Sequence, residues 1–366
     1  MVQLLLAEAR GRSLRLALQV ACAVLLLLTP VLASRQAKVA DVGPPDLLLE
    51  GGRKLSYERS FSSEREVKPK RSFWNRVLDV VAGEPDFHYL VRPYSVITDS
   101  RGRIIVTDPG AHGIHIFDFT QQKYKFISRK ENTKDPMRSP QCVALDAEDN
   151  IYVTDSDTGK LFVFDSSGKY KRAIGSLRGG EGYFKRPTGI AVDSSAQRIY
   201  LADTLRNQVF VLDMQGNILQ KIGKNGEGDG EFNYPTELRL AGENLFVVDA
   251  MNFRVQALNR SGVFRYAIGA IGDASGSMFR PKGVGVDSEG DLYVVDGLWD
   301  VVQVFNPQGD LLYYFGKSGT QAGEFQLPAG LFIDRNDRIY VVDSYNRRVQ
   351  VFHCFGLHQQ TKGGSQ

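Results

Sequence analysis

Proline recurs along this chain at a nearly constant interval. Pro93, Pro140, Pro187, Pro235, Pro281 and Pro328 are separated by 47, 47, 48, 46 and 47 residues. Each heads an apolar run, which is followed by a polar turn and a second apolar run ending in Asp: Asp108, Asp155, Asp203, Asp249, Asp296 and Asp343. A period in this range marks an array of one supersecondary unit that buries its apolar surface only against its neighbours. Residues common to all six copies then serve the scaffold. Specificity is expected where one copy departs from the rest.

The third copy defines the unit. Thr188–Asp193 is short, branched and bounded by Pro and Asp, as a buried strand should be. A polar turn leads to Arg198–Asp203, a loop to Gln208–Asp213, and Gln215-Gly216 turns the chain into Asn217–Gly223. Nothing between these strands is long enough for a crossover helix, so they form a four-stranded antiparallel meander. Such a sheet cannot bury both faces alone, but six of them stacked radially around an axis can. The fold expected is all-β, a six-bladed β-propeller.

The repeat reads Pro-x-Gly-apolar, then Ile-Tyr-Val-x-Asp, then Asn-x-Arg-Val-Gln-Val-Phe. The last part stands as Asn346-Arg347-Arg348-Val349-Gln350-Val351-Phe352 and, in part, as Asn252-Phe253-Arg254-Val255-Gln256. It resembles the NHL family over residues 82 to 355. Blades one, two and five lack the Asn-x-Arg signal, so their contacts are expected to differ. The sixth copy ends after its third strand, and Lys54–Phe61 has the pattern of a fourth strand. The N-terminal strand is therefore expected to close the ring, which removes two exposed sheet edges.

Outside the repeats, an apolar segment from Leu16 to Leu32 follows Arg10, Arg12 and Arg15 and ends in Val31-Leu32-Ala33. It reads as a signal peptide over residues 1–33, placing the mature protein in the periplasm or outside the cell. The alternative is an uncleaved membrane anchor. Residues 34–53 read as an extended arm, 72–81 as a short amphipathic helix, and 356–366 as a tail. The chain carries 45 basic and 42 acidic side chains; removing three Arg and one Glu with the first 33 residues leaves 42 against 41. So balanced a total gives no overall attraction to polyanions, and nucleic acid is not an expected partner. Cys142 and Cys354, the cysteines beyond the leader, are expected to stay unbridged.

In the meander, the loops entering the first strands and those joining strands two and three share one face. The residues after the repeat prolines should ring the channel there, among them Tyr94, Gln141 and Lys282. The second loops add His112, Arg206, Phe253, Trp299 with Asp300, and Tyr345. Glu237 replaces the small residue of the first strand in blade four, and a Glu237–Lys282 pair near the axis is one expectation. Large, chemically mixed residues that differ from blade to blade make a candidate binding face. Trp299 stands where other blades carry Asn or Arg; it either anchors a ligand or folds back on its neighbour. The six repeat aspartates are read as braces for loop backbone. Three or four convergent His or Cys ligands are missing, so neither a metal nor another cofactor is expected.

The resemblance extends to exported bacterial NHL propellers through Pro44-Pro45-Asp46 and an Arg-Ser-Phe-rich segment. That likeness implies a non-enzymatic binding scaffold for a protein or carbohydrate, in an envelope complex with multihaem cytochromes. The other reading is a propeller lyase or hydrolase with an axial metal.

Overall fold

The structure, a computed structural model, describes residues 43–49, 52–68, 87–175, 182–272 and 274–356. The leader and the helix expected over 72–81 lie outside the described residues. Six antiparallel sheets follow the repeats. In blade three the strands are Pro187–Asp193, Arg198–Asp203, Gln208–Asp213 and Ile218–Ile222, paired in chain order. First strands of successive blades pack on one another around the axis. Second and third strands are almost wholly buried, whereas the outermost strands alternate, as in Leu311–Phe315. The sequence accounts for this: the middle strands are continuous branched and aromatic runs, while most fourth strands interleave Lys, Arg or Gln, and Leu311–Phe315 exposes Leu312 and Tyr314 instead.

The core lies between blades. Each neighbouring pair shares one apolar cluster, such as Tyr200, Val209, Val211, Leu238 and Val247 between blades three and four. Gly283 and Gly330 permit the close approach of first strands. A Cβ at Gly283 would stand 2.4 Å from the backbone nitrogen of Leu331, and one at Gly330 would stand 2.5 Å from the carbonyl of Tyr94.

Blade six closes as expected. Lys54–Phe61 pairs antiparallel with Arg348–Phe355, with Lys54 opposite Phe355 and Phe61 opposite Val349. Leu55 enters the cluster between blades five and six, and Phe61 the cluster between blades six and one. The arm adds something its sequence does not announce: Leu47–Leu48 folds back on Leu55 and Lys54 as a fifth strand. A capped 3-10 turn, Glu64–Glu66, follows the closing strand, with Ser63 and Glu66 bonded reciprocally.

Candidate functional site

Every repeat aspartate is buried and receives backbone N–H groups from the loop just before the repeat proline. Asp108 accepts from Val91 and Arg92 at 2.6 and 3.0 Å. Asp203 accepts from Lys185 and Arg186 at 2.9 and 3.0 Å. Asp296 accepts from Phe279 and Arg280 at 2.7 and 3.2 Å. The aspartates are braces, as their recurrence implies. In blades four and six side chains join the brace. Asn252, Arg254 and Gln256 all donate to Asp249, and Asn346, Arg348 and Gln350 to Asp343. In blade five no side chain among the described residues takes that place; Asp296 receives the N–H groups of Leu298 and Trp299 instead.

The braced loops surround a hollow of about 340 Å³ at the mouth of the axis. Arg92, Arg186, Arg280 and Lys282 line it with Tyr94, Gln141, Ser139, Ser156, Ser344 and Tyr345. Among the described residues no carboxylate lines it. None of the four cationic side chains has an ion-pair or hydrogen-bond partner among the described residues. Lys282 lies over the Tyr94 ring, 5.8 Å from its centroid. Burial, then the neighbouring Arg280, push the Lys282 ammonium down to about 8. Burial pushes the Tyr94 phenol well above its usual range, with Arg186 and Arg280 near enough to oppose the shift.

Below the mouth the axis is plugged. Cys142 Sγ donates to Glu237 Oε2 at 3.1 Å, and Arg239 donates to the carbonyls of Val284 and Leu331 at 3.2 and 3.0 Å. Burial raises both the Glu237 carboxyl and the Cys142 thiol. The expected Glu237–Lys282 pair is replaced by this arrangement: Glu237 turns into the plug toward the thiol, while Lys282 turns outward to Tyr94.

Four sequence candidates therefore meet at the mouth: Tyr94, Gln141, Lys282 and Tyr345. His112 lies in a lateral cleft of about 1040 Å³ beside blades one to three, with Nδ1 against the Arg138 carbonyl. Arg206 donates to Asp203 and lies over Tyr183. Phe253 packs edge-on against Phe279. Asp300 is buried and accepts the Leu327 N–H at 2.7 Å, which makes it a brace between blades. Trp299 is 46% exposed. The sequence reading missed Arg92, Arg186 and Arg280. Their signal was available: each immediately precedes a repeat proline, and 92 to 186 and 186 to 280 are both 94 residues, two repeats. Blades one, three and five thus present a guanidinium at equivalent places.

Neither cysteine is bridged. Of the histidines, His115 is buried beside Asp108, His353 faces Glu58 and His88 faces Glu64. Among the described residues no group of three or more His, Cys, Asp or Glu is arranged to hold a metal ion.

A family model described as a 6-bladed beta-propeller matches residues 142–203 and 191–256, and the NHL repeat model matches residues 325–352. The chain folds as a six-bladed β-propeller and carries an NHL repeat at residues 325–352. No curated protein matches its sequence. Similar solved structures include virginiamycin B lyase from Staphylococcus aureus, at 13% identity over 82% of this chain and 99% of that one, TM-score 0.53. An auxiliary nutrient binding protein from Bacteroides thetaiotaomicron is 14% identical over 72% of this chain and 69% of its own, TM-score 0.56. Hydrazine synthase of Kuenenia stuttgartiensis is 13% identical over 72% and 95%, TM-score 0.51. At these identities the likeness carries the fold alone.

Proposed function

We propose that this propeller is an exported, non-enzymatic binding scaffold whose ligand, a carbohydrate or a protein surface, docks on the face that bears the axial mouth. One observation carries the reading. The braces of that face are satisfied internally, while the residues they hold up, Arg92, Arg186, Arg280, Lys282 and Tyr345, are left without internal partners or exposed. A rigid loop frame presenting uncommitted polar groups binds without a large ordering cost. The resemblance to exported bacterial propellers supports an envelope location and a multihaem cytochrome as protein partner. Among the named fold relatives, the nutrient binding protein is in keeping with a binding role.

The test is site-specific crosslinking in the native host. A photoreactive residue in place of Trp299, on the mouth face, should yield a discrete adduct; the same residue in place of Arg335, on the opposite face, should not. Adducts confined to position 335 would overturn the reading. So would about one zinc or iron per chain in protein purified without added metal, which would promote a lyase or hydrolase instead.

A further inference from the structure

We infer that the axial mouth is a site for a small, multiply charged oxyanion, free or carried on a glycan as a sulfate, phosphate or carboxylate group; this rests on the binding role just proposed for that face. Four cationic side chains line a hollow of about 340 Å³ with no carboxylate among its described lining residues. Yet the mature chain is almost neutral, so the concentration of positive charge is local. Arg254 and Arg348 of the repeat pair with Asp249 and Asp343 at 2.9 and 2.7 Å, but the three Arg of the mouth pair with no carboxylate among the described residues.

Arg92, Arg186 and Arg280 occupy one register position in alternate blades, so their guanidinium groups approach the axis from three sides. In each case the backbone N–H of the Arg itself is held by a buried aspartate, at 3.0, 3.0 and 3.2 Å. The aspartate carboxylate is committed to that backbone and fixes the loop. The side chain stays free, and its planar fork suits the oxygens of a phosphate, sulfate or carboxylate. Lys282 contributes a point charge over the Tyr94 ring. Ser139, Ser156, Ser344 and Tyr94 supply hydroxyl groups, and Gln141 an amide, at the same wall.

The volume selects the size class. A hollow of this size falls at the lower end of small-molecule pockets, roughly 300–1,000 Å³, and is far too small for a folded partner. A nucleic acid strand would instead need a long positive track lined by stacking aromatics. The cleft that continues from the mouth past Arg138 lacks that character, because Glu131 and Asp157 pair with Arg138 at 2.8 and 3.6 Å.

The charged and titratable groups facing Lys282 are Arg280, Arg186, Cys142 and the Tyr94 ring. Burial raises the thiol and the phenol away from this range, whereas Lys282 changes charge between pH 7 and about 9. A bound anion should hold the proton on Lys282, and anion affinity should fall as pH rises through about 8.

Calorimetric titration of the full mature chain tests this. The probes are pyrophosphate, citrate, a sulfated disaccharide, the same disaccharide without sulfate, and a short single-stranded RNA. Saturable 1:1 binding of at least one anionic probe at pH 7, weakened about tenfold for each guanidinium removed in Arg186→Ala and Arg280→Ala, is expected. Arg335→Ala on the opposite face should bind as wild type. With citrate, fully ionised throughout, affinity should drop several-fold from pH 7 to about 9 in wild type and stay flat in Lys282→Met. Preference for the sulfated disaccharide over pyrophosphate and citrate would assign the anion to a glycan, and the reverse to a free metabolite; either supports the site. Failure of every anionic probe to bind, equal binding by the Arg186→Ala/Arg280→Ala double variant, or preference for a single-stranded RNA would overturn it. Binding of the unsulfated disaccharide alone would overturn the anion site and leave the broader binding role standing.

Discussion

The two ends of the propeller axis are built from the same repeat and treat charge in opposite ways. At one end lies the cationic mouth. At the other, a hollow of about 450 Å³ is lined by Asp99, Asp146, Asp149 and Asp334, with Arg335 the sole cation. Those carboxylates are all committed. Asp99 accepts from Arg103 Nε at 2.6 Å and from the N–H groups of residues 101 and 103. Asp146 accepts from Asn150 Nδ2 and the Tyr152 hydroxyl, Asp149 from Ser100, and Asp334 from the Tyr340 hydroxyl. One end spends its charge on its own turns; the other holds charge in reserve. A group that satisfies the fold serves stability, whereas a group kept unpaired at a crowded like-charge site must be retained for another purpose.

The largest effect should come from the closure that both ends depend on. Phe61 is buried between blades six and one, with its ring 4.9 Å from Phe117 and 5.3 Å from Phe119. Phe61→Ala should cost about 3–5 kcal/mol in chemical denaturation, the range for a large aromatic removed from a packed core. An unchanged midpoint would mean that the N-terminal strand does not close the ring in solution, and neither end could then be treated as rigid.

The second test sets one end against the other directly. Asp99→Ala strands three donors and should cost roughly 2–3 kcal/mol. Arg280→Ala strands none and should change stability by no more than about 0.5 kcal/mol. Equal losses would show that the mouth cations are structural after all, and would remove the contrast between the two ends.

The sequence conveyed the ring readily and the mouth only in part. Branched runs between Pro and Asp, repeated six times, leave few alternatives for packing, and the pattern of Lys54–Phe61 matched the vacant strand position. Leu47–Leu48 escaped notice because two residues carry no periodicity. At the mouth, Tyr94, Gln141, Lys282 and Tyr345 were legible because topology fixes which loops face the axis. Arg92, Arg186 and Arg280 were not, because a charged residue just before a strand reads as ordinary solvated rim. Summing charges along the chain also averaged the two ends into near neutrality. Asp300 resembled a ligand group for a different reason: its bond to Leu327 runs to the next blade, and no local pattern reports it.

The smallest effect is the most diagnostic, because its sign is opposite to that of most core substitutions. Lys282 holds its proton only up to about pH 8 in the folded chain, against an ordinary 10.5. Below pH 8 both folded and unfolded chains carry the charge, and the fold bears the full cost of keeping it half-buried beside Arg280. Between about 8 and 10.5 the unfolded chain holds the proton and the folded one does not, so stability rises with pH across that window. Lys282→Met keeps the length and removes the charge. It should therefore stabilise the protein at pH 7, by on the order of 1–2 kcal/mol after allowing for solvent screening. The gain should shrink by more than half by about pH 9.5, where wild type has shed most of its penalty. Saturating citrate should narrow the difference at pH 7 from the other side, by stabilising wild type alone or far more than the variant. A variant that is less stable than wild type at pH 7, with a denaturation profile parallel to it at every pH, would mean that Lys282 is held by its surroundings like the aspartates at the far end. Lys282 would then hold no charge in reserve for an anion, and the site would rest on its three Arg alone.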